Sequence, residues 1–190
     1  MTGQQVATAH WRALDGEGED KCTLSQTDHG WVLLGHARFR DDTGFAALDY
    51  ILRCDPGWQT QSADIAGVHE GREVRIQLEC DKGHWIMNGE AQPQVGQAHD
   101  LDLSFTPATN LMPLRRLAAQ SAPSLTTRAA WLRYPDARLE PLDQTYAAGG
   151  TLAHVLYQGE QTGSSFQLEV DPTGFVTLYP GLWEGTVEPA

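Results

Sequence analysis

Lysine is nearly missing from this 190-residue chain: Lys21 and Lys82 are the only two among 13 basic residues, and the rest are arginine. Arginine serves where a charge is partly buried or grips a carboxylate with two prongs, although a GC-rich genome produces the same bias. Positive charge is scarce altogether. With 25 acidic residues the formal net charge is −12, which repels a phosphate backbone and excludes nucleic acid as the expected partner. Cysteine is scarce too: Cys22, Cys54 and Cys80 are odd in number and widely spaced, so reduced thiols are expected instead of a disulfide framework. No apolar run approaches the ~20 residues of a membrane span. The opening MTGQQVATAHW has neither the basic nor the apolar region of a signal peptide. The expectation is a cytoplasmic protein that does not span a membrane, as a monomer or homodimer.

Chemical motifs are equally sparse. There is no phosphate-cradling glycine loop, no G-x-S-x-G nucleophile turn and no dinucleotide fingerprint. No two of His10, His29, His36, His69, His84, His99 and His154 stand at a common metal-ligand spacing. Cys80 and His84 flank one turn, but no second pair completes a tetrahedral site, so neither metal nor cofactor is expected. The pairs Asp41/Asp42 and Asp100/Asp102 read as solvated acids in turns or on exposed strand faces.

What the chain does have is alternation. Val74, Ile76, Leu78 and Cys80 interleave with Glu73, Arg75, Gln77 and Glu79, which predicts a half-buried strand, with His84–Met87 as its hairpin partner, closed by Asn88-Gly89. Ala46, Leu48, Tyr50, Leu52 and Cys54 form one wholly apolar strand face. On the other face Asp49 and Arg53 stand roughly 13 Å apart along the strand, too far to pair. Trp31–Phe39 is apolar on both faces, which predicts a strand covered on both sides. The fold class expected is mainly β: a single domain, residues 1–190, of antiparallel strands in a strongly curved sheet or open barrel. Possible halves at 1–106 and 125–185 are joined by a short helix and linker at 107–124, and the tail Gly181–Ala190 reads as loose apart from Leu182 and Trp183. An apolar strand ending in Asp, a tight turn with Gly and an aromatic recur at Leu52–Trp58, Leu78–Trp85 and Leu168–Phe175. Related halves and the ordinary turn chemistry of a meander both account for this recurrence.

Asp100–Leu117, DLDLSFTPATNLMPLRRL, is the pivot between those halves. Asn110 or Thr109 is placed to cap a helix near 110–119 whose first turn tolerates Pro113. Leu111, Leu114, Leu117 and Ala118 form one stripe; Arg115 lies about 40° from Leu111, at its edge, and Arg116 about 140° away. Arg115 is therefore the arginine expected to point inward, either to clamp a carboxylate such as Asp100 or Asp102, or to stand at the mouth of a pocket.

Three segments together resemble a bacterial family described as putative glycolipid-binding proteins. They are Tyr50–Asp55 with Trp58, the pivot Leu101–Leu117 with Thr106–Asn110 and Pro113–Leu117, and the ending Val170-Asp171 through Tyr179–Trp183. The resemblance implies a single curved antiparallel sheet similar to that of the bacterial lipoprotein carriers, a glycolipid or similar amphiphile as ligand, and no catalytic residues. One departure is visible: the arginine expected soon after Trp58 is replaced by Gln61, following Thr60. The leading expectation is non-catalytic binding of an amphiphile in an apolar groove, with Arg53, Trp58, Arg115, Arg116 and Tyr134 as contacts. The alternatives are an enzyme acting on a carbohydrate- or lipid-like substrate, and a protein–protein interaction module using Tyr179–Trp183.

Overall fold

The computed structural model describes residues 3–190. Fifteen strands make one sheet: β1 Gln4–Ala13, β2 Glu17–Thr27, β3 Gly30–Asp41, β4 Gly44–Cys54, β5 Thr60–His69, β6 Arg72–Asp81, β7 His84–Met87, β8 Glu90–Ala91, β9 Asp100–Leu103, β10 Ser124–Arg133, β11 Arg138–Ala148, β12 His154–Gly159, β13 Ser164–Val170, β14 Val176–Tyr179 and β15 Trp183–Pro189. Their spatial order is β8 through β1, then β15 back through β9. The chain thus steps outward from the middle to one margin. It crosses to the other margin, steps back, and zips its last strand onto its first, with His10 opposite Thr186. Neighbours are antiparallel except β9 and β10, which the helix α1 (Leu111–Gln120) connects. A crossover of that length is what a parallel pair requires. The ladder does not close, and β8 and β9 remain its two margins.

The sheet bends around α1. Leu111, Met112, Pro113, Leu114 and Leu117 are all buried, so the first two turns are enclosed nearly all round. The interior of the bent sheet is therefore packed by the helix and by side chains such as Leu33, Leu48, Tyr50, Leu52, Ile65 and Leu101. A second cluster, with Tyr146, Tyr157, Val155 and Leu168, closes over Leu114 and Leu117. The expected cap sits earlier than Asn110 or Thr109. A 3-10 turn, Pro107–Asn110, precedes the helix, and the Thr106 hydroxyl accepts from the Ala108 amide at 3.0 Å. Asn110 is freed to accept from the Tyr146 hydroxyl at 2.8 Å.

Three other expectations change. Trp31–Phe39 is not covered on both sides: Leu34 faces outward and is 53% exposed. Two apolar faces report an aversion to water, and here no second layer among the described residues answers the outer one. Trp183 packs against the core as expected, but the tail beyond it is not loose, because Trp183–Pro189 pairs with β1. And the repeated turn comes in two kinds. Lys82-Gly83 is a two-residue hairpin with both φ positive. At the other two sites the Asp side chain accepts from an amide four residues on: Gln59 N–H to Asp55 and Phe175 N–H to Asp171. In those turns the positive φ falls on Trp58 (68°) and on Gly174 (99°).

A buried polar knot fixes β2, β4 and the pivot together. Asp20 accepts from the Tyr50 hydroxyl at 2.7 Å, from the Thr106 hydroxyl and from the His36 amide. Burial pushes the Asp20 carboxyl above its ordinary pKa, against the pull of these donors. Tyr50 reaches Asp20 only because Gly35 leaves room: a Cβ there would stand 1.8 Å from the tyrosine ring. Gly35→Ala is expected to lower stability by about 1–3 kcal/mol, the usual cost of overpacking. Urea unfolding checks this, and Tyr50→Phe in the same background leaves the clash in place.

Candidate functional site

The three segments that carry the family resemblance meet at the helix. Arg115 lies over the Trp58 ring, with its guanidinium carbon 4.9 Å from the ring centroid, and 5.8 Å from that of Trp31. The two indoles stack at 4.1 Å. On its other side Arg115 donates to the Thr173 carbonyl at 3.2 Å. The two Asp-anchored turns thus hold Arg115 between them. Gly174 is required there, since a Cβ would lie 2.8 Å from the Arg115 Cδ. Partial burial lowers the Arg115 pKa, although Asp171 opposes this.

Arg116, not Arg115, is the carboxylate clamp. Its Nη1 and Nη2 donate to the Asp100 Oδ1 and Oδ2 at 2.7 and 2.5 Å, with the two side chains 12% and 2% exposed. Nη1 also donates to the Trp58 carbonyl at 2.9 Å, and Thr127 donates to Asp100 at 2.8 Å. Burial would push the Arg116 pKa down, but the Asp100 pair carries it above the ordinary value. The stripe arithmetic failed because it assumed one dry face, whereas this helix is enclosed on almost every side.

The structure brings together three of the five residues singled out in the sequence: Trp58, Arg115 and Arg116. Arg53 stands on the outer face, paired with Asp64 at 2.9 Å. Tyr134 lies one residue past β10, where its hydroxyl meets His69 Nδ1 at 2.8 Å and its ring packs on Phe39 and Phe105. Burial lifts its pKa to about 12. Beside Arg115 a recess of 230 Å³ is lined by Leu114, Ala118, Leu152, Val170 and Pro172. That is smaller than the ~300–1,000 Å³ typical of small-molecule sites.

The larger openings lie on the outer face. One section, of 740 Å³, is lined by His10, Arg12, Glu19, Lys21, His36, Arg38, Glu169, Glu184 and Thr186. A second, of 530 Å³, has Thr23, Leu34, Ile51 and Ala66 among its lining, and shares Lys21 and His36 with the first. The two are one trough. Strand register arranges its floor in three rows that cross the strands, spaced about 7 Å apart by the two-residue repeat of a strand. One row alternates in sign: Arg38, Glu19, Arg12, Glu184. The middle row runs Ala66, Asp49, His36, Lys21, His10, Thr186, one residue from each of six neighbouring strands. The third is Asp64, Ile51, Leu34, Thr23, Thr8. His36 Nδ1 contacts Asp49, and Arg12 contacts Glu184. The separation along the chain of these residues hid the trough; only the two-faced apolar pattern of Trp31–Phe39 signalled it.

Two measurements follow from the buried charges. Removing one partner of the clamp, as in Arg116→Met or Asp100→Asn, is expected to cost about 3–5 kcal/mol, and replacing both with apolar residues considerably less; a double-mutant cycle in urea reads the difference. Asp102 accepts from Gln144 at 2.8 Å, and burial lifts its carboxyl from 3.8 to about 6. Its folded pKa lies above its unfolded one, so the stability it confers is complete below pH ~4 and lost as pH rises through ~6. Asp102→Asn is accordingly expected to gain on the order of 2–3 kcal/mol relative to wild type between pH 4 and pH 8. Equal shifts at both pH values would rule this out.

A family model described as "Putative glycolipid-binding" matches residues 8–185. A DUF1089 family protein from Pseudomonas aeruginosa, known from a crystal structure, superposes with a TM-score of 0.75 at 29% identity, over 87% of this chain and 91% of its own. A beta-barrel-like protein of domain of unknown function DUF1849 from Brucella abortus superposes with a TM-score of 0.51 at 9% identity over 100% of both chains, a likeness of fold alone. No curated protein matches the chain.

Proposed function

The chain belongs to the family described as putative glycolipid-binding, and from that premise we propose that it binds a glycolipid-type amphiphile, without chemical turnover, in the trough on its outer face. The observation that carries this reading is the change of character across the rows. Leu34, Ile51 and Ala66 offer an apolar bed for a hydrocarbon chain. Next to it, His10, Arg12, Lys21, Glu169 and Thr177 offer donors and acceptors for a polar head. A largely apolar lining with a few placed polar groups is the usual composition of such sites. The packing of the interior around α1 favours the outer face over the concavity as the place for the ligand. Leu34 at 53% exposure is a large apolar side chain that the fold itself leaves unused.

Monomeric dodecyl maltoside and dodecyl phosphate, titrated by calorimetry below their micelle concentrations, test this reading. Leu34→Asp and Ile51→Asp are each expected to weaken binding by about tenfold or more, since burying a leucine-sized side chain contributes ~1.5–3 kcal/mol. Wild-type protein that takes up neither amphiphile would overturn the reading. Release of a cleaved product from a bound amphiphile would replace it with the enzymatic one, for which the His36–Asp49 contact would be the starting point.

A further inference from the structure

The rows of the trough differ in how their charges are matched. Arg38, Glu19, Arg12 and Glu184 stand opposite one another with alternating sign, the arrangement that antiparallel pairs favour. The next row breaks that rule. His36, Lys21 and His10 are directly opposite on β3, β2 and β1, three nitrogen-bearing side chains in succession. Neighbours in such a row are about 5 Å apart. The one acid in that row, Asp49, stands between Ala66 and His36 and is taken up by His36. Glu19 and Glu184 are taken up by Arg38 and Arg12 in the adjoining row, and the buried Asp20 by Tyr50 and Thr106, which leaves Glu169 as the remaining acid of the polar section. Lys21, with an imidazole on either side and no carboxylate directly opposite it, thus departs from the pairing of opposite charges that the adjoining row follows, in a chain whose net charge is −12.

From this contrast we infer that the His10–Lys21–His36 row is an anion site, and that the amphiphile this trough takes carries a phosphate, sulfate or carboxylate in its head. The inference rests on the amphiphile reading above and specifies its ligand. The anion lies across β1, β2 and β3 with Lys21 as its central contact, and the adjoining Thr23–Leu34–Ile51 floor receives the hydrocarbon. Two imidazoles beside one ammonium give directional donors as well as charge, which suits a tetrahedral or planar oxyanion. Lys21 is one of only two lysines in the chain, and as an exposed side chain it contributes no packing that the fold depends on.

The test compares dodecyl phosphate with dodecyl maltoside on full-length protein at low salt. Wild type is expected to prefer dodecyl phosphate by tenfold or more. Lys21→Met and the pair His10→Gln with His36→Gln are each expected to reduce that preference at least threefold, weakening dodecyl phosphate binding more than dodecyl maltoside binding. Arg138→Gln, which removes one positive charge from β11, a strand that contributes no residue to the trough, controls for overall electrostatics and is expected to leave the preference unchanged. Equal affinity for the two amphiphiles, or a preference indifferent to Lys21→Met, overturns the anion site and leaves the amphiphile reading standing. Binding of neither amphiphile removes both.

Discussion

The enclosure of α1 is the constraint on which the other features depend. A sheet of this length must bury one face, and with no second sheet to pack on, it bends around a single helix. Everything polar on that helix must then be matched inside the protein, because an unpaired buried charge costs several kcal/mol. Arg116 meets this demand through Asp100, which places β9 against the helix and so fixes where the second half of the sheet begins. Arg115, one residue earlier, finds its partners in the ring of Trp58 and the carbonyl of Thr173. The two turns that hold it belong to opposite arms of the sheet. The arginine richness of the chain has a concrete expression here: both residues use the flat, forked shape of guanidinium, which an ammonium lacks.

Filling the interior also decides where a ligand finds room. The outer face carries openings larger than the recess beside Arg115, and exposed apolar side chains such as Leu34. Its floor is built from strand register and from nothing else. Each row takes one side chain from each strand, so that its chemistry depends on which residues happen to stand opposite. A slip of one residue in β2 would turn Lys21 inward and Asp20 outward, undoing both the basic row and the polar knot beneath it. The binding surface and the core thus share one register, with Asp20 holding it from inside.

Much of the fold was legible in the sequence, for identifiable reasons. The β6 alternation, Val74 through Cys80 against Glu73 through Glu79, has one solvated face and reads directly. So does the short helix after Pro107, where strand alternation stops. Legibility failed where environment overrides pattern. The Trp31–Phe39 strand showed two apolar faces, but no periodicity distinguishes a covered face from one left open for a ligand. The arginines were interchanged because a helical wheel assumes a wet side that this helix lacks. Trp58 took the left-handed backbone position that glycine takes in the sister turn, which no turn rule anticipates. His10, Lys21, His36 and Asp49 carry no local signal at all; only the folded sheet puts them in line.

The seam between β1 and β15 has a temporal meaning. These strands stand at the middle of the sheet yet come from opposite ends of the chain, so their pairing has nearly the largest sequence separation the molecule allows. During synthesis the first arm can zip from β1 outward, while the inner edge of β1 stays open until some 170 further residues have emerged. Such late, non-local pairing is slow, and it exposes a sticky edge in the meantime. His10 and Thr186 face each other across that seam, so the polar section of the trough is completed only when the last strand docks. A nascent chain would carry the apolar section, built from β2 to β5, well before that polar section has its far wall.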